Sequence, residues 1–167
     1  SMNHIAFGSI LGEDRKLMKT RSGDNVQLVD VLDEAVERAD RVIGEKNPDM
    51  DPAERAEVAS IVGIGSVKFA ELSQHRMTDY VFSWDRMLAL QGDTAPYLQY
   101  SYVRVRSIFR KLDGQINIDP SALSIEADAE VHLARMLVRF GETVPILLDD
   151  FRPNLLANYL LELAKAF

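Results

Sequence analysis

Residues 92–100 read GDTAPYLQY, and this stretch predicts where the main helix of the second half of the chain begins. Gly92 and Asp93 are residues that favour turns. The hydroxyl of Thr94 is suited to accept a hydrogen bond from a free amide of a first helical turn. Pro96 fits the same turn because the N–H that proline lacks would have no partner there. We therefore predict a loop that ends in a capped helix start.

From Leu98 onward, apolar residues recur with the spacing of one helical face, which predicts a buried stripe. The stripe consists of Leu98, Tyr102, Val105, Phe109 and Leu112. The same segment carries four bases, Arg104, Arg106, Arg110 and Lys111, and no acid, in a chain of net charge -7. Two interpretations follow. Tyr97, Tyr100 and the bases could hold a polyanion whose bases stack on the rings, or the bases form the solvated face of a core helix.

Composition limits the class of protein. The chain has 167 residues, of which 47% are apolar, so it can bury a core as one domain or as two small ones. No apolar run approaches the roughly 18 residues of a membrane span, and no basic-then-apolar leader is present. We expect a cytoplasmic protein without membrane contact. The chain has no cysteine and its three histidines are far apart, so no metal site is predicted.

The two ends of the chain suggest that it is an excised piece of a longer protein. Ser1 and Met2 look like a cleavage scar followed by a start residue. Phe167 ends an amphipathic helix that has no cap residue and no polar tail after it.

The first part of the chain predicts a strand, a basic loop and two helices. His4 to Leu11 is a strand candidate. Residues 16–23 form a loop with three cations and two hydroxyls, which suits a triphosphate but also describes a solvated basic loop. A helical stripe runs from Leu32 to Ile43, and Gly44 and Pro48 are expected to stop it. Asp51 and Pro52 then predict a capped helix start.

The next helix contains Gly63 and Gly65, which weaken a helix, so we expect another backbone to pack closely against it. Tyr80 to Trp84 is the best strand candidate. Three helices are expected after residue 118. Their inward residues are predicted to be Leu133, Met136, Leu137 and Phe140 in the first helix and Leu156, Leu160, Leu163 and Phe167 in the last.

Four stretches, in one order, resemble the arginyl-tRNA synthetases of class I. GDTAPYLQYS resembles their GNTAPYLQYA junction between catalytic and anticodon-binding domains, with Asp93 in place of Asn. Residues 4–14 followed by KTRSG resemble their second ATP-binding signature, a degenerate Lys-Met-Ser-Lys-Ser loop. Thr20 stands where the second lysine would be, and Arg15 replaces a common glycine. VKFAELS with DYVF, and the C-terminal helix from Arg152, provide the other two matches.

The resemblance implies a mainly α fold, a helical bundle of the anticodon-binding type preceded by a small α/β remnant of the catalytic domain. The implied domains are 1–44, the end of the catalytic domain with the ATP loop; 45–95, a helical connecting region; and 96–167, a truncated anticodon-binding domain. The implied ATP-binding residues are Met18, Lys19, Thr20, Ser22 and Gly23, and the implied catalytic residues are Lys19, Thr20, Arg21 and Ser22. The implied tRNA-binding residues are Tyr97, Gln99, Tyr100, Arg104 and Arg106.

The implied function is that of an arginine-tRNA ligase, which activates arginine with ATP and transfers it to tRNA(Arg). ATP is expected as a substrate, with Mg²⁺, and the parent protein is expected to be a cytoplasmic monomer. The first class I signature, His-Ile-Gly-His, does not occur in the sequence, so we expect this piece alone to be inactive. The alternative is a non-catalytic helical module that binds tRNA or another protein.

Overall fold

The computed structural model describes residues 2, 4–12, 14–17, 27–89, 91–112, 119, 121 and 123–167. They belong to two compact units, Ser1–Tyr97 and Leu98–Phe167, called here the first and the second unit. The prediction of a mainly helical chain with a small α/β part is confirmed. In chain order the elements are β1 (Ile10–Leu11), α1 (Leu28–Lys46), α2 (Pro52–Leu72), β2 (Tyr80–Val81), α3 (Trp84–Met87), α4 (Ala95–Lys111), α5 (Asp128–Val138), α6 (Phe140–Asp150) and α7 (Pro153–Ala166).

Helices α1 and α2 pack closely against each other in the first unit. Ala35 of α1 and Ala59 of α2 are completely buried. A Cβ added to Gly63 would lie 2.7 Å from the carbonyl oxygen of Ala35, so only glycine fits this contact without a shift. The expected close approach of another backbone at Gly63 is confirmed. α1 continues past Gly44 to Lys46 and ends before Pro48, between the two residues that were expected to stop it.

The predicted start of α2 is confirmed. The carboxylate of Asp51 accepts hydrogen bonds from the amides of Ala53 (2.9 Å) and Glu54 (3.1 Å), and Pro52 is the first helical residue. These bonds satisfy amides that have no partner within the helix. The side chain of Arg55, one residue further on, donates to Asp40 of α1 at 2.9 Å.

Both predicted strands are shorter in the structure than the sequence suggested. β1 and β2 are parallel, with Ile10 opposite Tyr80 and Leu11 opposite Val81. His4 to Ser9 is not strand, and Trp84 already begins the short helix α3.

The core beside this sheet contains Phe82, Met87 and Ala35. The ring of Trp84 meets the ring of Phe82 edge to face, with 4.7 Å between centroids, and the guanidinium carbon of Arg38 lies 4.8 Å from the centre of the Trp84 ring. Burial, followed by a hydrogen bond to Glu71 and the charge of that carboxylate, raises the pKa of Tyr80 well above its ordinary value.

In the second unit, α7 packs against α5 and α6. Its buried residues are Asn154, Ala157, Tyr159 and Leu161, and α5 contributes Met136. The hydroxyl of Tyr159 donates to the carbonyl oxygen of Met136 at 2.9 Å. Glu130 accepts from the amides of Glu126 and Ala127 at 3.0 Å each, and these bonds lower the pKa of its carboxyl.

An apolar groove of about 820 Å³ lies within the second unit. It is lined by Leu98, Ser101, Tyr102, Val105, Ile108, Phe109, Leu133, Leu137, Leu160, Leu163, Ala164 and Phe167. The predicted buried stripe of α4 is therefore wrong in part, since Tyr102, Phe109 and Leu112 remain exposed. Leu137, Phe140, Leu160 and Phe167, which were expected to face inward, are exposed as well. The cause is the same for most of them: they border an open groove instead of a filled core.

Within the described ranges, none of the helices combines the length and the apolar character needed to cross a bilayer.

Candidate nucleic-acid interface

The start of α4 has the geometry that its sequence predicts. Gly92 has a φ of +88°, a backbone conformation in the left-handed region that favours glycine. The amide of Tyr97 donates to the Thr94 hydroxyl at 3.3 Å, so Thr94 caps the helix. Thr94, Ala95 and Pro96 are buried.

The helical period divides the five predicted tRNA-binding residues between two sides of α4. At about 100° per residue, Tyr97, Tyr100 and Arg104 fall within about 60° of one another. Gln99 and Arg106 are seven residues apart and share a different side, so that Arg104 and Arg106 point in nearly opposite directions. We call the first set, Tyr97, Tyr100 and Arg104, the tyrosine face.

Two of the three residues of the tyrosine face are exposed. Tyr100 is 61% exposed, Arg104 is exposed, and Tyr97 is half-buried. On the other side, Arg106 is exposed and Gln99 is half-buried. An exposed tyrosine one helical turn before an exposed arginine offers both a ring for stacking and a cation.

Arg104 has a specific neighbour that the sequence did not indicate. Its guanidinium carbon lies over the ring of Phe167, 5.4 Å from the ring centre. This distance is within the range of a cation–π contact. Phe167 is 40% exposed and follows the last residue of α7. The contact joins two residues of the second unit that are far apart in sequence.

The bases of α4 differ in their partners from the two arginines that flank α6. Arg139 lies 3.5 Å from Glu162, and Arg152 lies 3.2 Å from Asp150. For the four bases of α4, no carboxylate within ion-pair distance occurs in the described part of the chain. α4 therefore presents positive charge that is not neutralised locally, in a chain that is acidic overall.

The predicted ATP loop lies outside the described residues: Met18, Lys19, Thr20, Arg21, Ser22 and Gly23. The turn that leads to it is described. The amide of Gly12 donates to the carbonyl oxygen of Lys16 at 2.8 Å, and the amide of Arg15 donates to that of Gly12 at 2.9 Å. Arg15 has a φ of +59°, a conformation that favours glycine. Arg15 thus adopts a backbone conformation that side chains other than glycine rarely take.

In the described ranges, no three His, Asp or Glu side chains are grouped closely enough to hold a metal ion.

Sequence comparison accounts for both units. The profile described as tRNA synthetases class I (R), catalytic domain, matches residues 1–84, which is half of the chain. The chain belongs to the arginyl class I tRNA synthetase family. The profile of the DALR anticodon binding domain matches residues 98–167. The tyrosine face thus begins just before the segment that resembles an anticodon-binding domain and continues into it.

Curated members of the arginyl-tRNA synthetase family match the chain from end to end. The arginine–tRNA ligase of Mannheimia succiniciproducens is 51% identical over 172 residues, and that of Enterobacter sp. is 49% identical over 171 residues. The chain spans 29% of the length of each of these relatives.

Solved structures of the family have the same fold. Thermus thermophilus arginyl-tRNA synthetase superposes with a TM-score of 0.82 at 32% identity, covering 98% of this chain and 26% of that one. The Plasmodium falciparum enzyme gives a TM-score of 0.77 at 29% identity, covering 98% of this chain and 27% of that one.

Phe167 is the residue of this site that sequence reasoning missed. Its periodicity with Leu160 and Leu163 indicated only an apolar helix face. No local signal links it to Arg104, because the pairing of α4 with the end of α7 is a property of the tertiary structure.

Proposed function

We propose that this chain is part of an arginine–tRNA ligase and supplies a surface for the anticodon region of tRNA(Arg). The tyrosine face of α4 would bind the RNA, with the rings of Tyr97 and Tyr100 stacking on unpaired bases. Arg106 and Gln99, on the other side of α4, would contact the phosphate backbone or orient the helix. In this proposal residues 1–44, 45–95 and 96–167 correspond to the end of the catalytic domain, a connecting region and the anticodon-binding domain.

The observation that carries the proposal is the exposure of Tyr100 beside Arg104 on a helix whose bases have no carboxylate partner in the described residues. The match of residues 98–167 to the anticodon-binding profile supports the choice of tRNA over other polyanions. Most of α4 lies within the matched residues, so both observations are consistent with one site on this helix.

The reaction of the whole ligase is part of the proposal. Arginine and ATP form an arginyl adenylate and pyrophosphate. A terminal ribose hydroxyl of tRNA(Arg) then attacks the arginyl carbonyl, which forms the ester and releases AMP. Lys19, Thr20, Arg21 and Ser22, with Met18 and Gly23, would bind the ATP phosphates, where cations stabilise the charge on the departing pyrophosphate. Mg²⁺ would accompany ATP, and the ligase would act as a monomer in the cytoplasm.

The test is a titration of the 167-residue chain with tRNA(Arg) and with a non-cognate tRNA, at low and at physiological salt. We expect tighter binding of tRNA(Arg) and a steep fall of affinity with salt. Equal binding of both RNAs would mean that the basic helix α4 binds RNA through its charge and does not distinguish tRNA(Arg). Binding that does not depend on salt would contradict the proposal.

Two tyrosines of α4 make a matched pair for this assay. Tyr100→Ala removes a ring of the tyrosine face and is expected to lower the affinity for tRNA(Arg) by about 1 to 3 kcal/mol. Tyr102, which is 64% exposed, lines the apolar groove on another side of the same helix. Tyr102→Ala is therefore expected to leave tRNA binding unchanged. Equal losses in both variants would mean that the tyrosine face is not the binding surface.

The apolar groove favours a second candidate, a helical module that binds another protein. Exposed apolar patches of this kind commonly mark protein interfaces. The salt titration separates the two, because an apolar interface does not lose affinity as salt rises.

We also propose that the chain alone does not activate arginine, since it lacks a His-Ile-Gly-His signature. Measurable ATP–pyrophosphate exchange by the purified chain, dependent on arginine, would contradict this.

A further inference from the structure

A pocket of about 390 Å³ lies in the first unit, bordered by α2, β2 and α3. Its volume falls within the range of known small-molecule sites. Three residues of α2 that line it, Ser66, Ala70 and Ser73, share one face of the helix because they are four and three residues apart. Phe82 and Met87 are buried and add apolar walls. The pocket thus combines an apolar lining with hydroxyl groups.

The hydroxyl of Ser66 is the polar group of this pocket that needs a partner. Ser66 is 1% exposed, and its Oγ has no hydrogen-bond partner among the described residues. A serine inside a helix can donate to the carbonyl oxygen of the preceding turn, but this hydroxyl does not. Leaving a buried hydroxyl unpaired is unfavourable, so a polar group that enters the pocket and bonds to Ser66 would be stabilised there.

Arg86 brings positive charge to the opening of the same pocket. It lines the pocket and is exposed, so it lies where the pocket meets solvent. No carboxylate in the described part of the chain lies within ion-pair distance of its side chain. A guanidinium group without an acidic partner is suited to bind a carboxylate. A ligand that is polar at both ends and apolar between them therefore matches the buried hydroxyl, the apolar walls and the cation.

We propose that this pocket binds a small organic acid, with an apolar body that carries a hydroxyl at one end and a carboxylate at the other. The apolar body packs against Phe82 and Met87, the ligand hydroxyl bonds to Ser66, and the carboxylate binds to Arg86. Binding at this pocket does not depend on the proposed tRNA-binding function.

The first experiment titrates the isotope-labelled 167-residue chain with p-hydroxyphenylpropionate and follows the amide signals by two-dimensional NMR. We expect saturable shifts at Ser66, Ala70 and Phe82, with a dissociation constant on the order of a millimolar for a ligand of about twelve non-hydrogen atoms. The absence of saturable shifts at these residues would overturn the proposal.

The second experiment tests the hydroxyl of Ser66 with two ligands. Ser66→Ala is expected to weaken binding of p-hydroxyphenylpropionate about three- to tenfold and to leave binding of phenylpropionate, which lacks the hydroxyl, unchanged. Ser60→Ala is the matched control, because Ser60 lies on another side of α2 and does not line the pocket. An equal loss of affinity for both ligands in Ser66→Ala would overturn the assigned hydrogen bond.

A thermal melt separates this role of Ser66 from a structural one. Ser66→Ala removes a buried hydroxyl that has no partner in the described structure, so the melting temperature of the ligand-free chain is not expected to fall. A lower melting temperature, together with weaker binding of both ligands, would mean that Ser66 supports the fold and does not contact the ligand.

The third experiment tests the charge of Arg86. Arg86→Gln is expected to weaken binding of p-hydroxyphenylpropionate about three- to tenfold and to leave binding of the neutral p-hydroxyphenylpropionamide unchanged. Arg41→Gln removes an exposed arginine of α1 that does not line the pocket, and it is expected to change neither affinity. If the unchanged chain binds the acid and the amide equally well, the carboxylate does not bind to Arg86 and the proposal is overturned.

L-Tyrosine distinguishes two sources of such an acid. It adds an ammonium group to p-hydroxyphenylpropionate, and the carboxylate of Asp93 also lines the pocket. Tighter binding of L-tyrosine would support a free amino acid as the ligand, and weaker binding would support an acid without an amine. Loss of these ligands in Ser66→Ala or Arg86→Gln with unchanged binding of tRNA(Arg) would separate this pocket from the proposed tRNA-binding surface.

Discussion

The core of the first unit and the groove of the second unit both contain aromatic side chains, but these are buried in the core and exposed in the groove. In the first unit, Phe82 is buried against Ala35 and Met87, and Gly63 lets the two long helices touch. In the second unit, Phe109 and Tyr102 line a groove and stay exposed. The difference shows that the period of an apolar stripe identifies a helix face without showing how closely another element packs on it.

Removal of a phenylalanine ring should show the largest difference between the two regions. Phe82→Ala is expected to destabilise the first unit by about 3 to 4 kcal/mol, because it leaves a cavity in a packed core. Phe109→Ala is expected to cost the second unit only about 1 kcal/mol, since its ring is 47% exposed.

Urea unfolding measures both costs. Fluorescence of Trp84, the only tryptophan, reports on the first unit, and far-UV circular dichroism follows the remaining helix. A cost for Phe109→Ala as large as that for Phe82→Ala would mean that the groove is closed in solution.

Alanine substitution of two glycines provides a comparison with smaller expected changes in the free energy of unfolding. Gly63→Ala places a Cβ 2.7 Å from the carbonyl oxygen of Ala35 and is expected to cost about 2 kcal/mol, although alanine is the better helix former. At Gly141 in α6 a Cβ would meet nothing within 4 Å. Gly141→Ala is expected to stabilise the second unit by about 0.5 kcal/mol. The same urea titration serves as the measurement, and a stabilising Gly63→Ala would rule out the close contact of α1 and α2.

The smallest expected difference between a variant and its control concerns the hydrogen bond that joins α7 to α5. Tyr159→Phe leaves the buried carbonyl oxygen of Met136 without its donor and is expected to cost about 1 kcal/mol. Tyr102→Phe is the control, because the exposed Tyr102 lines the groove, and no change is expected. Thermal melts of the two variants should therefore separate. Coincident melts would show that the Tyr159 hydroxyl contributes nothing to the second unit.

Features that depend on residues close together in the chain were predicted correctly from the sequence. Asp51 and Thr94 cap their helices as expected, because a cap depends on residues two or three positions away. The close contact at Gly63 was also predictable. Glycine destabilises a helix interior, so its presence in a long helix indicates that another backbone packs too closely for a side chain. The open groove and the Arg104–Phe167 contact were not predictable, because both depend on how distant helices are placed. Periodicity defines the face of a helix and not what covers it.

The short parallel pairing of β1 with β2 has a consequence for the order of folding. The amide of Ser9 donates to the carboxylate of Asp79 at 2.6 Å, across 70 residues of sequence. Closing so long a loop costs conformational entropy that a two-residue strand pair cannot offset. The α1–α2 hairpin must therefore form first and bring these ends together. In a refolding experiment with pulsed hydrogen exchange, the amides of Tyr80 and Phe82 should become protected later than those of α2.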